Sequence, residues 1–124
     1  MILVDTSLWV EYLGRRGAPR LAALLDAGEV MIHPFVIGEL ALGQLGPRQA
    51  ILEALQTLPQ AAVASAHEVL HLIEHHGLSA IGIGYVDVHL LASARLMGGV
   101  PVWTFDRRLR NAAEKTGLPH GPPE

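Results

Sequence analysis

Short apolar runs alternate with longer amphipathic stretches along the chain. Four of these runs predict strands, namely Ile2–Val4, Val30–Ile32, Ala61–Ala64 and Val100–Phe105, of which Ala61–Ala64 is the weakest. Runs this short, separated by stretches of helical periodicity, are typical of strands joined by helices. The pattern therefore predicts an α/β fold with a mostly parallel central sheet of about four to five short strands and helices on both faces.

The stretches between the strands carry the signals that start and stop helices. Proline stands near several starts and glycine directly after several ends, which is the asymmetry expected of helix termini. Apolar residues from Leu8 to Leu13 predict a first helix that stops at Gly14. The other helices are predicted over Pro19–Ala27, from Pro34 through Glu39, over Gln49–Leu58, from a cap at Ser65 to Gly77, from Asp87 to Met97, and from Asp106 to Gly117.

A chain of 124 residues, half of them apolar, has room for one domain with a substantial core. We expect that domain to span residues 1–118 and residues 119–124 to form a short disordered tail.

The absence of cysteine excludes disulfides and thiolate metal sites. The apolar segment at the N-terminus ends at Asp5, so we expect no signal peptide. Charged residues interrupt the apolar region Leu78–Trp103, so we expect no membrane span. A cytoplasmic location is the resulting expectation.

The formal charge of −3 differs from the basic surplus that nucleic-acid binders usually show. If four of the twelve acids are held in a metal site, nine basic residues face eight remaining acids and the rest of the surface carries +1. The arginines also cluster, with Arg15, Arg16 and Arg20 in one group and Arg107, Arg108 and Arg110 in another. The charge balance therefore permits binding to nucleic acid without indicating it.

Four acidic residues stand where the predicted fold would gather them. Asp5 and Asp106 directly follow strands, Asp87 begins a helix after a loop, and Glu39 lies one turn into the helix after the second strand. All four can reach the carboxyl edge of the sheet, where ligands bind in parallel α/β folds. Lys115 is the only lysine in the chain, so a divalent cation is the natural way to offset their repulsion. Carboxylate oxygens are ligands that magnesium and manganese prefer.

Helix capping offers a simpler explanation for three of these acids. Aspartate is a favoured N-cap, and Asp5, Asp87 and Asp106 each stand where a helix is predicted to begin. Taken singly, each is more readily explained as a cap than as a metal ligand. Glu39 has no such explanation, because it lies inside its helix among apolar neighbours, where a buried acid needs a partner.

Four fragments of the sequence together resemble the PIN domain of VapC-type toxins. They are Asp5-Thr6-Ser7 after an apolar strand, Glu39 within Val36–Leu40, Asp87 before the alanine-rich segment Leu90–Ala94, and Thr104-Phe105-Asp106-Arg107-Arg108-Leu109. Each fragment alone is weakly specific, whereas their order and spacing over nearly the whole chain are much more so. The third fragment departs from many relatives, because Tyr85-Val86 precedes the acid where those have another polar or acidic residue.

The resemblance implies a doubly wound α/β fold and an endonuclease that cleaves single-stranded or structured RNA. Asp5, Glu39, Asp87 and Asp106 would be its catalytic residues and would hold Mg²⁺ or Mn²⁺, with a metal-activated water attacking the phosphodiester. An antitoxin protein as partner and a homodimer are also implied. The alternative is a catalytically silent PIN-like domain that binds RNA or protein without cutting.

Polar side chains beside the acids supply further candidates. Thr6, Ser7 and Thr104 could orient a carboxylate or bind phosphate. Turn and cap hydrogen bonds explain such hydroxyl groups equally well. Arg107 or Arg108 could contact phosphate, and a position on a solvated helix face is the simpler explanation for either.

A separate motif, His67-Glu68-Val69-Leu70-His71, matches the H-E-x-x-H pattern of zinc proteases. The residues downstream do not fit the longer form of that pattern, which requires a glycine and a third histidine at Glu74 and Gly77. Helical periodicity instead predicts a solvated histidine face, opposite the apolar residues Ala66, Val69, Leu70 and Ile73.

Overall fold

A sheet of three parallel strands lies at the centre of the computed structural model, which describes residues 1–119, 121 and 122. The strands are β1 (Ile2–Val4), β2 (Val30–Met31) and β3 (Val102–Trp103), in the spatial order β2-β1-β3. Leu3 of the central strand pairs with Met31 on one side and with Val102 on the other. Because the strands are parallel, their carboxyl ends share one edge, onto which the residues after all three strands open.

Within the described residues the sheet has three strands, where the sequence predicted four to five. The predicted strand Ala61–Ala64 is reduced to a single parallel bridge between Ile32 and Gln60. The Ile32 N–H donates to the Pro59 carbonyl and the Ala61 N–H to the Ile32 carbonyl, both at 2.9 Å. Pairing stops there because Pro34 has no N–H and opens a helix that leads the chain away from the sheet.

Seven helices occur in the part of the chain that the structure describes, and they confirm the predicted α/β class. Helices α6 and α7 pack against β3, α5 packs on α6, and α1 packs on both α2 and α3. Their bounds are α1 Thr6–Leu13, α2 Pro19–Asp26, α3 Pro34–Leu42, α4 Arg48–Thr57, α5 Ala66–His76, α6 Tyr85–Leu96 and α7 Arg107–Lys115.

Helix α6 begins at Tyr85, two residues earlier than predicted, with Gly84 as its N-cap. Asp87 is therefore the third residue of the helix, and the prediction that it starts the helix is wrong. Aspartate is favoured both at the cap and in the first turn, where it faces unpaired N–H groups, so the sequence pattern fits either register.

Helix α5 turns a partly different face to the core from the one predicted. Val69 and Leu72 are buried, whereas Leu70 is 59 % exposed. The histidines behave as expected of a solvated face, since His67, His71 and His75 are all exposed. The predicted helical periodicity of α5 was therefore correct, but the buried face is shifted by about one residue from the predicted one.

The glutamate of the H-E-x-x-H pattern takes part in starting helix α5. Ser65 Oγ accepts a hydrogen bond from the Glu68 N–H at 3.1 Å, and Glu68 Oε1 accepts one from the Ser65 N–H at 2.8 Å. The pair forms a capping box, which satisfies two N–H groups at the start of the helix. Glu68 thus has a local structural role that needs no zinc.

The core consists of the sheet and the helix faces packed on it, with Leu3 and Val4 of the central strand fully buried.

No helix among the described residues is long and apolar enough to cross a membrane. After α7 the chain returns to β3: the Val102 N–H donates to the Pro119 carbonyl at 3.2 Å, and the Gly121 N–H donates to the Val102 carbonyl at 3.1 Å. The tail predicted over 119–124 stays a prediction, and three of its residues (His120, Pro123 and Glu124) lie outside the described ones.

Candidate active site

Asp5 directly follows the central strand and is the most enclosed of the four predicted acids, at 5 % exposure. It is the N-cap of α1, and its Oδ1 accepts from the Thr6 N–H at 2.7 Å. Its Oδ2 accepts from Ser7 Oγ at 3.0 Å and from Thr104 Oγ1 at 2.7 Å. A cap alone needs only the first contact. Two further donors therefore fix the orientation of a carboxylate at the sheet edge.

The same hydroxyl groups join the end of β1 to the end of β3. Thr104 Oγ1, which is buried, accepts from the Asp106 N–H at 2.9 Å, and Ser7 Oγ accepts from the Phe105 N–H at 3.2 Å. Asp106 is the N-cap of α7, and its Oδ1 accepts from the N–H groups of Arg108 at 2.8 Å and Leu109 at 3.4 Å. The hydrogen-bonded chain from Asp5 through Thr104 thus sets where Asp106 begins its helix.

Glu39 lies on α3 and reaches the same region through α1. Its Oε1 accepts a hydrogen bond from Thr6 Oγ1 at 2.6 Å. The apolar neighbours of Glu39 suggested burial in the sequence, but Glu39 is exposed. Its helix turns Val36 and Leu40 into the core, and Glu39 falls on the side that faces α1 and solvent.

The pKa of Asp87 is affected by all three of the other predicted acids. The pKa of this partly buried carboxyl is raised from 3.8 to about 6. Burial is the largest cause, and the negative charge of Asp5 is the next. Smaller contributions come from Asp106 and Glu39, while a hydrogen bond from the Gly84 backbone acts in the opposite direction. We refer to Asp5, Glu39, Asp87 and Asp106 as the acidic cluster.

The acidic cluster has the charge and the ligand type that a hard divalent cation requires. Among residues 1–119, 121 and 122, no arginine or lysine forms an ion pair with any of its four carboxylates. In the same residues no three Asp, Glu or His side chains already stand as a formed metal site. The cluster therefore fits a cation by its oxygen donors and by its uncompensated charge, and the side chains would have to draw closer or act through water.

Two arginines contact backbone carbonyls around the acidic cluster, which sequence reasoning missed. Arg110 Nη2 donates to the Thr104 carbonyl at 3.2 Å, and Arg108 Nη1 donates to the Gly82 carbonyl at 3.3 Å. Gly82 has φ +85°, and a Cβ there would lie 3.0 Å from Arg108 Nη1, so glycine permits this approach. Arg107 and Arg108, the two predicted phosphate contacts, are both exposed on α7.

Comparison with known proteins identifies the family to which this chain belongs. A family model described as PIN domain matches residues 2–115. The chain therefore belongs to the PIN-domain family. Within it, the chain is similar to two proteins named Ribonuclease VapC32, from two strains of Mycobacterium tuberculosis. Each is 45 % identical over 118 residues, which cover 95 % of this chain and 94 % of the relative.

Solved structures share the fold at low sequence identity. FitAcB from Neisseria gonorrhoeae superposes with a TM-score of 0.67 at 20 % identity, over 97 % of this chain and 96 % of that one. A protein from Pyrobaculum aerophilum superposes with a TM-score of 0.61 at 18 % identity, over 90 % of this chain and 83 % of that one. Both likenesses support the fold alone.

Proposed function

We propose that this chain is an endoribonuclease that hydrolyses phosphodiester bonds in single-stranded or structured RNA at the acidic cluster, with Mg²⁺ or Mn²⁺ as cofactor. The observation that carries the proposal is the gathering of Asp5, Glu39, Asp87 and Asp106 at one sheet edge without a basic partner among the described residues. Membership of the PIN-domain family and the likeness to the VapC ribonucleases support the same reaction.

Each residue of the cluster has a definable part in that reaction. Asp5, Glu39, Asp87 and Asp106 would hold the cation, which when bound neutralises the phosphate and lowers the pKa of its water. Three donors keep the Asp5 carboxylate in one orientation, and Thr6 does the same for Glu39. Hydrolysis breaks the P–O3′ bond, so that the water oxygen bonds to phosphorus and the 3′ oxygen takes a proton. The expected products end in a 5′-phosphate and a 3′-hydroxyl.

We further propose that the chain is the toxin of a type II toxin–antitoxin pair, forms a homodimer and acts in the cytoplasm. The likeness to VapC-type proteins supports this assignment. An antitoxin partner would restrain an activity that is otherwise directed at the RNA of the cell. Light scattering of the purified chain tests the dimer directly, and a mass equal to one chain would contradict it.

A chelator experiment tests the proposed reaction. The purified protein, stripped of metal with EDTA, is expected not to cleave single-stranded RNA, and to regain cleavage when excess Mg²⁺ or Mn²⁺ is added. Product ends are identified by ligation and phosphatase sensitivity. Cleavage that persists in EDTA would contradict metal dependence. RNA binding without turnover under every metal condition would favour the silent binding module instead.

Thr104→Val tests whether the hydroxyl that joins Asp5 and Asp106 positions the cluster. Valine keeps the shape of the buried side chain but neither donates to Asp5 nor accepts from the Asp106 N–H. We expect cleavage to fall about 10- to 100-fold, as for groups that orient metal ligands. The matched control is Thr116→Val, because Thr116 is also buried but its hydroxyl bonds only to carbonyls of α7. Full activity of Thr104→Val would show that the hydroxyl serves only as a turn contact.

A further inference from the structure

The chain separates its six aromatic residues into two groups. Trp9 and Trp103 are buried, and Tyr12 packs against the core. The other three rings are exposed: Phe35 by 37 %, Tyr85 by 55 % and Phe105 by 51 %. Large exposed rings are costly to hydrate, and in a chain with only 5 % aromatic residues their position is informative.

All three exposed rings lie at the carboxyl edge of the sheet, around the acidic cluster. Phe35 is the second residue of α3, which follows β2, and Phe105 lies two residues after the end of β3. These are the two outer strands of the sheet, and Asp5 follows the central strand between them. Tyr85 is the first residue of α6 and directly follows Gly84, whose backbone forms a hydrogen bond with the Asp87 carboxyl. Phe35 precedes Glu39 by one turn of α3, and the Phe105 N–H donates to Ser7 Oγ, which donates to Asp5, so the exposed rings adjoin the acidic cluster.

Two of the rings are held in place by buried histidines. The His89 ring contacts Phe35 and Tyr85 edge to face, with both centroid distances at 4.7 Å. His33 contacts Phe35 in the same way at 4.8 Å. His33 and His89 are both buried, at 0 % and 3 % exposure. Phe35 and Tyr85 therefore form a supported surface, and little side-chain entropy would be lost when a flat partner binds to it.

A positive group of α7 contacts the loop that precedes α6. Arg108 Nη1 is 3.3 Å from the carbonyl of Gly82, three residues before Tyr85. Arg108 itself stands two residues after Asp106, which caps α7. A guanidinium at this position would face the phosphates of a strand that crosses the edge from Phe105 towards Tyr85.

We propose that Tyr85 and Phe35, which both pack on His89, and Phe105 bind unstacked bases of single-stranded RNA on the two sides of the phosphate that is cleaved. This rests on the proposed function, because it takes the acidic cluster as the place of the scissile phosphate. Aromatic rings stack on any base, so the surface selects for unpaired nucleotides more than for one sequence. A duplex keeps its bases stacked inside the helix and would not reach these rings.

The test compares Tyr85→Ala with Tyr85→Phe, which keeps the ring. If Tyr85 stacks on one base, Tyr85→Ala should raise the KM for single-stranded RNA about 10-fold and leave kcat within about twofold. Tyr85→Phe should behave like the wild type. Phe105→Ala is expected to show the same pattern. Leu70→Ala on α5 is the matched control, because Leu70 is as exposed as Tyr85 and lies on a different helix. Thermal melting checks that each variant is folded.

Binding without cleavage separates this proposal from the proposed function. Fluorescence anisotropy in EDTA measures the affinity for a labelled single-stranded RNA of mixed sequence and for the same strand in a duplex. If the wild type cleaves nothing in Mg²⁺ or Mn²⁺, but Tyr85→Ala binds the single strand about 10-fold more weakly, the stacking surface stands and the nuclease assignment fails. If Tyr85→Ala and Phe105→Ala match the wild type in KM and affinity, the stacking proposal is overturned. A loss of dimer mass with unchanged RNA affinity would also overturn it, in favour of a protein contact.

Discussion

Asp5→Asn is expected to lower kcat for metal-dependent RNA cleavage by about 10³-fold or more. The substitution removes a negative charge from the end of the central strand and replaces a cation ligand with a poorer one. Metal-assisted charge stabilisation contributes several kcal/mol to such a reaction, and about 4 kcal/mol corresponds to this factor. The measurement is single-turnover cleavage at saturating Mg²⁺ or Mn²⁺, together with RNA affinity in EDTA, which we expect to change little.

The hydrogen bonds of Asp5 make the same substitution costly for folding. If the new amide keeps its oxygen towards the Thr6 N–H, its NH₂ group meets the hydroxyls of Ser7 and Thr104. Neither hydroxyl is free to turn, because each accepts a backbone N–H from the segment after β3. We expect a loss of roughly 1–3 kcal/mol in the free energy of unfolding. Activity must therefore be measured well below the melting temperature of the variant.

Asp26→Asn provides the matched control for Asp5→Asn. Asp26 is exposed at the end of α2, so the same change of side chain there is expected to leave cleavage and stability close to those of the wild type. Full cleavage by a folded Asp5→Asn protein would mean that Asp5 acts only as a helix cap. In that case the proposed reaction would need another centre.

Asp5 and Asp106 show why capping and the proposed catalysis could not be separated in the sequence. Both residues cap a helix, as the simpler explanation predicted, and both also belong to the acidic cluster. A strand that ends at the sheet edge is followed at once by the N–H groups of a helix, so one aspartate is placed to do both. The two roles are compatible, so the contacts that confirm the two caps leave the catalytic role a prediction.

Other features depended on packing that no local pattern encodes. Glu39 has apolar neighbours along the chain, yet its exposure is set by how α3 is rotated against α1. Phe35, Tyr85 and Phe105 are residue types that predict core positions, yet all three are exposed. The fold class was predictable because the alternation of apolar runs and amphipathic stretches persists along the chain. The rotation of a helix against its neighbours depends on contacts between residues distant in sequence, which no local pattern contains.

Asp87→Asn is expected to stabilise the metal-free protein while it lowers cleavage. The pKa of Asp87 is raised from 3.8 to about 6, so at pH 7 the carboxyl is ionised in the folded state at a cost that the unfolded chain does not bear. Asparagine removes that cost and the repulsion from Asp5. We expect the melting temperature in EDTA at pH 7 to rise by about 4 °C, the size of a 1 kcal/mol gain for a domain of this length.

The pH dependence of this gain follows from the direction of the pKa shift. Below pH 3.8 the carboxyl is protonated in both the folded and the unfolded state, so the wild type and Asp87→Asn should be equally stable. Between pH 3.8 and about 6 the folded wild type holds more protons than the unfolded chain, and its stability relative to the variant falls as the pH rises. Above about pH 6 the difference should stay constant.

Divalent cations should reverse the order of stability. A cation that binds the folded wild type stabilises it by mass action, and a variant with a weakened site gains less. Melting curves in EDTA and in excess Mg²⁺ or Mn²⁺ are therefore expected to rank the two proteins oppositely, with Asp26→Asn following the wild type in both. If Asp87→Asn melts below the wild type in EDTA at pH 7, the hydrogen bond from Gly84 outweighs burial and repulsion at this position. The acidic cluster would then carry no stored repulsion for a cation to relieve.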